Sequence, residues 1–480
     1  MNNSIIELLN LAGDDIEIIG QSTTGETLEI TISKKDRVTV CPLCGCSMHS
    51  KGNYIRTVNH PILQDGRKVI LKLVKRKYKC SSPVCGYMVS DKFDFVGDYK
   101  HSSLLLPYLI IKEFKDINAT VFQTAQRLNV SQTLVYNTFM QAIKFDRSPL
   151  SEVISIDEVY MNFDYKHKYP LVILDFLTGE PIDIVNSRRQ EETDPYFLHI
   201  PLQERLTVKY LICDMYNPYI NYITRYFPNA QAVIDGFHVK KWILDRINTY
   251  YRSVLKKYKE IENAELKRNN FLNNTSFKSI KHSREVNILQ DFKFVLFENA
   301  DNIDYTADPS YNYHLGQYLD TFQKEKMFME LDPHFPVLRE LKERFNTFDR
   351  LAKTDSTDIE LLFDQLILEY QNCDEDIFNN FAGLLIKYRK YILTSYSTVV
   401  VIDCHGNHVS RRLSNGPIES FNVYPKSLKR VSRGLNNFDY ARNRILLATR
   451  SIDKISVPSP QDRFLSKRVG KKRGPYRNKH

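Results

Sequence analysis

Asp157 stands in the apolar run VISIDEVYMNF, in alternation with Ile154 and Ile156, and Asp214 stands where TVKYLICD gives way to the Asn217-Pro218 pair. An ionised carboxylate within so apolar a strand is costly unless it meets a cation. Two such groups, one in a strand and one at the end of a neighbouring strand, suit a divalent ion such as Mg2+, which takes a few hard oxygen ligands and retains water. A third ligand arrives late in the chain. In LSNGPIESFN, Asn415 and Gly416 precede Pro417, a residue suited to the first position of a helix, so Glu419 falls in that helix's first turn. Each acid also has a plainer reading: Asp157 as half of a buried ion pair, Asp214 as a helix cap, Glu419 as a capping-box or dipole residue. Glu158 falls on the opposite strand face from Asp157. VIDGFHVKKW adds a rival acid, Asp235, at the end of the following strand, and His238, for which the plainer readings are a cap and a core histidine.

A second chemistry lies near the N-terminus. CPLCG at Cys41 and Cys44 is answered by CSSPVCG at Cys80 and Cys85. Two pairs of thiolates with such short gaps can each curl around one small ion, and soft ligands in a tetrahedral set select Zn2+. The alternative is two buried cysteine pairs without metal. Between the pairs, TVNHPILQDGRKVILKLVKRKYKC reads as strands joined by an Asp65-Gly66 turn, the layout of a zinc ribbon. Cys46 is set aside because its position after Cys44-Gly45 points it away. Lys72, Lys75, Arg76, Lys77 and Lys79 make one strand basic, either for phosphate contacts or as a solvated face.

TVFQTAQRLNVSQTLVYNTFMQAI, beginning at Thr120, has the spacing of a helix-turn-helix. Val121, Ala125 and Leu128 form one apolar stripe, and Ser131 caps a second helix whose inward residues are Leu134, Val135 and Phe139. Gln132, Thr133, Tyr136 and Asn137 then point outward, where a recognition helix meets base edges. Any two packed helices could share the pattern. After Glu419, KSLKRVSRGLNNFDYARNRIL reads as a helix with the basic stripe Lys426, Lys429, Arg430 and Arg433, and the tail KRVGKKRGPYRNKH has seven Lys and Arg and no acid, the composition of a disordered segment that contacts polyanions.

These groups need a scaffold, and 480 residues are enough for about three domains. With 42% hydrophobic and 26% charged residues the chain is neither disordered nor fibrous. A formal charge of +10 favours a polyanionic partner. The N-terminal stretch lacks the features of a secretory signal, and no apolar run approaches the ~18 residues of a membrane span, so an intracellular protein without a membrane partner is expected. From Val153, three strand-like runs and then strand-helix alternation predict a mixed α/β sheet. From Lys240 to Asn407 the patterns are mainly helical, predicting an α-helical insertion whose Tyr and Phe residues form its core.

Taken together, CPLCG, CSSPVCG, the helix-turn-helix, SIDEVY, ICDMYNPY, VIDGFHVKKW and SNGPIESFNVYPKSLKR resemble the DDE transposases of the ISL-three insertion-sequence family over nearly the whole chain. The resemblance implies a multidomain α/β protein: a zinc ribbon at 1–95, a helix-turn-helix at 96–148, an RNase H-like catalytic domain in two parts at 149–245 and 406–456, an α-helical insertion at 246–405, and a basic tail at 457–480. It implies that Asp157, Asp214 and Glu419 are the catalytic acids, holding Mg2+ or Mn2+ for phosphoryl transfer, with Asp157 the bridging ligand and with Asp235 and His238 nearby. The same centre would cut at the terminal inverted repeats and join the freed 3′-hydroxyl to target DNA, in a homodimer on double-stranded DNA in the bacterial cytoplasm, at the nucleoid. Two other readings stay open: a non-catalytic DNA-binding regulator, and a nuclease without strand transfer. Pro425 departs from the continuous helix of the family pattern and is expected to kink or shorten it.

Overall fold

In KVILKLVKRKYKC every second residue is apolar at first, and the strand it forms buries Val69, Leu71 and Leu73 on one face. The computed structural model describes residues 9, 11, 15–61, 66–97, 100–273, 282–354, 358–403 and 405–451. The basic tail and Asp65 of the expected turn lie outside the described residues. The first sheet runs β1 (Ile16–Thr24), β2 (Thr27–Lys34), β4 (Lys68–Cys80), β3 (Met48–His60), with β5 (Met88–Ser90) also paired to β4. It is thus larger than the ribbon expected from the cysteines: β1 and β2 add a hairpin, and β2 lies parallel to β4. The apolar core of this sheet, with Leu28, Ile30 and Ile32 facing Val69 and Leu71, is separate from the small cluster around the cysteines.

Three helices follow, Leu105–Phe114, Val121–Arg127 and Gln132–Ala142. The second begins at a capping box between Thr120 and Gln123, and the third at Ser131, whose hydroxyl accepts from the Leu134 amide at 3.2 Å. The turn between them passes through Asn129 at φ 48°. Phe114 of the first helix meets Phe139 edge-on at 5.1 Å.

The central sheet has the order β10 (Gln231–Ile234), β9 (Tyr210–Cys213), β6 (Val153–Glu158), β7 (Leu171–Asp175), β8 (Pro181–Val185). The first three strands are mutually parallel and β6, β7 and β8 are antiparallel neighbours, which is the mixed sheet expected. One face packs Ile154, Ile156, Leu171 and Ile173 against the Phe197–Tyr226 aromatic group. On the other, Val172, Leu174 and Ile184 share a single core with the three helices and with the late helix Phe438–Thr449. Arg444, fully buried, fastens these parts: its guanidinium donates to the carbonyls of Asp116 and Ala119 at 3.1 and 3.0 Å and lies over the Phe114 ring.

The mainly helical region expected as an insertion is built on the 37-residue helix Gly236–Leu272. Its buried stripe, Val239, Ile243, Ile247, Tyr251 and Val254, continues without a break, so the boundary expected at 245–246 falls inside an element. Phe328, Phe335, Phe345, Phe363, Phe378 and Phe381 fill the surrounding helical core, as the sequence predicts. Two hairpins were not expected: β11 (Ser310–Asn312) with β12 (Gln317–Leu319), and β13 (Thr398–Ile402) with β14 (His408–Arg412). The latter straddles the 405–406 boundary and lays Val401 on the central sheet beside Val153, Ile212 and Val233. Among the described residues no helix is long and apolar enough to cross a membrane.

Candidate active site

The strand β6 carries Asp157, β9 ends at Cys213 just before Asp214, and the helix Gly416–Phe421 carries Glu419. The plainer reading of each acid can be judged from its partners. Asp214 caps nothing, because the helix Asn217–Arg225 begins at Tyr216 without a side-chain cap. Glu419 closes no capping box, since the Asn415 side chain is drawn away to Asp214. Asp157 forms no ion pair among the described residues; its neighbour Glu158 turns to the opposite face and takes Arg188 and the Tyr219 hydroxyl.

The acids are linked by His238 and two asparagines. His238 Nε2 lies 2.9 Å from Asp214 Oδ1 and 3.7 Å from Glu419 Oε1. Asn415 donates its side-chain amide to Asp214 at 2.7 Å, and Asn422 donates its own to Asp157 at 2.6 Å. Both asparagines are buried, and among the described residues the amide oxygen of each has no donor. Asp235 is occupied otherwise: one oxygen accepts from the Phe237 amide at 3.0 Å, capping the long helix, and the other accepts from the Asn415 backbone amide at 2.7 Å. His238 therefore joins the acids, while Asp235 braces the loop that delivers Glu419.

The electrostatics are those of a site short of positive charge. Burial, then the Asp214 carboxylate, push Asp157 up to about 7. Burial opposes a charged ring at His238, yet Asp214, Asp235 and Glu419 together raise it above its ordinary value. Among the described residues no Lys or Arg forms a salt bridge with Asp157, Asp214 or Glu419. Hard carboxylate oxygens without a Lys or Arg partner, beside two orphaned amide oxygens, are the donor types that Mg2+ or Mn2+ takes, but among the described residues only the cysteines, and no three of these acids and His238, bring ligand atoms within 4.8 Å of one another.

The cysteines form a separate centre. One sulfur from each of Cys41, Cys44, Cys80 and Cys85 lies within 4.8 Å of all the others. Cys44 and Cys80 are 3.4 Å apart and Cys41 and Cys85 are 3.9 Å apart, close to the ~3.8 Å edge of a tetrahedron with 2.3 Å Zn–S bonds. Each knuckle turns back at a glycine in the left-handed region, Gly45 at φ 73° and Gly86 at φ 56°. Cys46 stays outside the cluster, exposed, as expected from its position.

A family profile described as a transposase matches residues 154–445, more than half of the chain, from the strand of Asp157 to beyond the helix of Glu419. The chain belongs to the ISL-three family of DDE transposases. It is also similar to the transposase for insertion sequence element IS1001 of Bordetella parapertussis, at 22% identity over 284 residues. That match takes in 58% of this chain and 64% of the relative, so the chain spans less than two thirds of the relative's length.

Of the other residues singled out in this family member, Gln132, Thr133 and Asn137 are exposed on the third helix. Tyr136 is a correction: it is half-buried and packs on Tyr440 at 5.1 Å, because the late helix 438–449 covers that side. The segment after Glu419 is also not one helix. Asn422 ends the first, Val423–Ser432 forms a second with Pro425 in its opening turn, and Arg433 at φ 44° stops it. Lys426, Arg430 and Arg433 remain exposed, whereas Lys429 sits 3.7 Å over the Tyr160 ring. On β4, Lys75 is buried, Lys72 pairs with Glu29 and Arg76 with Asp91, leaving Lys77 and Lys79 exposed. Asn415 and Asn422 were missed. The signal available was their flanking of the Glu419 turn, one on each side.

Proposed function

We propose that this chain is an active transposase, one that binds the terminal inverted repeats of its element as double-stranded DNA and cuts and joins them at an acidic, metal-dependent site. The observation that carries the reading is that Asp157 and Asp214, from distant parts of the sequence, are each held by an asparagine at one end of the short helix that carries Glu419, with His238 between Asp214 and Glu419. The sheet order, with three antiparallel neighbours followed by parallel strands, supports an RNase H-like catalytic domain interrupted by the helical insertion. In this reading the zinc-ribbon sheet and the three-helix unit precede the catalytic domain, and the insertion takes in the distal part of the long helix.

Asp157, Asp214 and Glu419 would hold Mg2+ or Mn2+, and such an ion supplies charge neutralisation at the phosphate and favours attack by a water or a 3′-hydroxyl. The chain's own contribution is orientation. Asn422 fixes Asp157, Asn415 fixes Asp214, and His238 lies between Asp214 and Glu419, where it tempers their repulsion before an ion enters. Zn2+ on Cys41, Cys44, Cys80 and Cys85 would hold the tip of the ribbon. Gln132, Thr133 and Asn137 are the base-reading candidates, with Lys426, Arg430 and Arg433 on phosphates beside the acids. The active species is read as a homodimer on DNA, in the bacterial cytoplasm.

A cleavage and joining assay on duplexes carrying the element's ends tests this. Asp157→Asn is expected to abolish both Mg2+-dependent cutting and joined products while duplex binding persists. Cutting without joining would favour a nuclease, and binding alone by the wild-type protein would favour a regulator.

A further inference from the structure

Beside the acids, between the start of the long helix, the end of the helix His334–Leu351 and β14, lies a cleft of about 180 Å³. Its walls include Asp235, Lys240, Asp349, Lys353, Tyr396 and Arg412. A second cleft of about 360 Å³ shares Lys353, Tyr396 and Arg412 with it, so the two form one groove. Neither belongs to the carboxylate site, but Asp235 on the wall accepts from the Asn415 backbone, which places the groove next to the helix of Glu419.

Arg412 is the informative group. Its guanidinium lies 5.4 Å from the Tyr396 ring, and its Nη1 is buried with no hydrogen-bond partner among the described residues. A cationic N–H withdrawn from water and left unpaired is costly and calls for an acceptor. The carboxylates on the walls are already committed. Asp349 is held by Lys353 and by the Tyr396 hydroxyl at 3.0 Å, and Asp235 by the Phe237 and Asn415 amides. Lys240 donates only to the neutral Asn299 side chain, at 2.9 Å, so its charge too has no carboxylate within salt-bridge distance among the described residues. Two cations on the groove walls without a carboxylate in salt-bridge contact, one of them a guanidinium with an unpaired N–H, match the non-bridging oxygens of a phosphodiester, for which Arg is the best-suited side chain.

We propose that this groove binds a backbone phosphate of the DNA strand next to the one being cut, with Arg412 as the forked donor and Lys240 as the second charge. The inference rests on the proposed function for its substrate, but its test reads binding alone. Full-length, zinc-loaded protein is titrated with a fluorescent duplex carrying one element end, in Ca2+ in place of Mg2+, at several salt concentrations. Arg412→Gln is expected to weaken binding about tenfold and to reduce the slope of log affinity against log salt by about 1, the loss of one phosphate contact. Arg412→Lys should restore the slope with part of the affinity. Phosphate ethylation interference guards against a folding defect: with wild-type protein, one ethylated phosphate adjoining the cleavage position should block binding, and Arg412→Gln should be indifferent to that modification. An unchanged slope in Arg412→Gln, or no sensitive phosphate beside the cleavage position with the wild-type protein, overturns the proposal. Failure of the wild-type protein to cut in Mg2+ is a different result, and would count against the proposed chemistry instead.

Discussion

Asn422 donates its side-chain amide to the Asp157 carboxylate across 2.6 Å, although 265 positions separate the two residues in the chain. Asn415, at the other end of the same short helix, makes the matching contact to Asp214 at 2.7 Å. The helix that carries Glu419 is thereby pinned at both ends to the two aspartates of the sheet, and the register of all three acids depends on two amides. Replacing either amide should disturb the acids without exposing new apolar surface. Asn422→Ala is expected to lower the cleavage rate or the Mg2+ affinity by about 10- to 100-fold, with duplex binding unchanged, as for other groups that orient metal ligands. Cleavage kinetics across a Mg2+ titration check this, and wild-type kinetics in Asn422→Ala would remove the asparagine from the account.

The raised Asp157 makes a pH prediction. Its value in the folded chain, about 7, lies above the ~4 of an unfolded aspartate, so the folded state holds a proton that the unfolded state releases. Stability of the metal-free protein should therefore fall as pH rises from about 4 to about 7 on account of this group. Asp157→Asn should raise the melting temperature at pH 8 and lose that advantage near pH 4. Mg2+ should stabilise the wild-type chain at pH 8 and do so less at pH 5, where it competes with the proton. Thermal scans of both proteins, with and without Mg2+, measure the effect; an equal shift for Asp157→Asn at every pH would contradict it.

Zinc removal should act locally. The cysteine cluster and the core of the first sheet share no residues, so Cys80→Ser or chelation should release the metal and loosen the ribbon tip while the sheet around Val69 and Leu71 persists. One zinc per chain by elemental analysis, weaker duplex binding after chelation, and a main unfolding transition moved by only a few degrees are expected. Collapse of the whole transition would show that the tip supports more of the fold than its separate core suggests.

Tyr136 and its neighbours on the third helix should separate stability from recognition. Tyr136→Ala removes a ring packed on Tyr440 and is expected to cost about 1–3 kcal/mol, read as a lowered denaturation midpoint. Gln132→Ala and Asn137→Ala, at exposed positions, should leave the midpoint within about 0.5 kcal/mol and relax preference at individual base pairs. The reverse pattern would mean that a different helix face meets the DNA.

The parts legible in the sequence were those fixed by local rules. The cysteine spacing, the cap at Ser131, and a carboxylate at the lip of β9 all depend on a few adjacent residues. The turn at Gly25 and the β-branched run Thr398–Ile402 carried local signals for hairpins, but the first sits outside the cysteine pairs and the second is embedded among helices. Pro425 was expected to kink or shorten the helix, and the helix of Glu419 does end before it, at Phe421; the proline then fits the first turn of a new helix, so it marks a junction. Their flanking of the Glu419 turn marked Asn415 and Asn422 as neighbours of that acid but not their roles, because an amide's role is set by whichever distant carboxylate the fold brings to it. The buried Arg444 was hidden for the same reason, its partners being carbonyls more than 300 positions away.

The most direct test is anomalous diffraction from crystals of the protein soaked in Mn2+. Anomalous density is expected in contact with carboxylate oxygens of Asp157, Asp214 and Glu419, and is expected to be lost in Asp157→Asn. Manganese bound elsewhere, or bound at these acids equally well in Asp157→Asn, would contradict it.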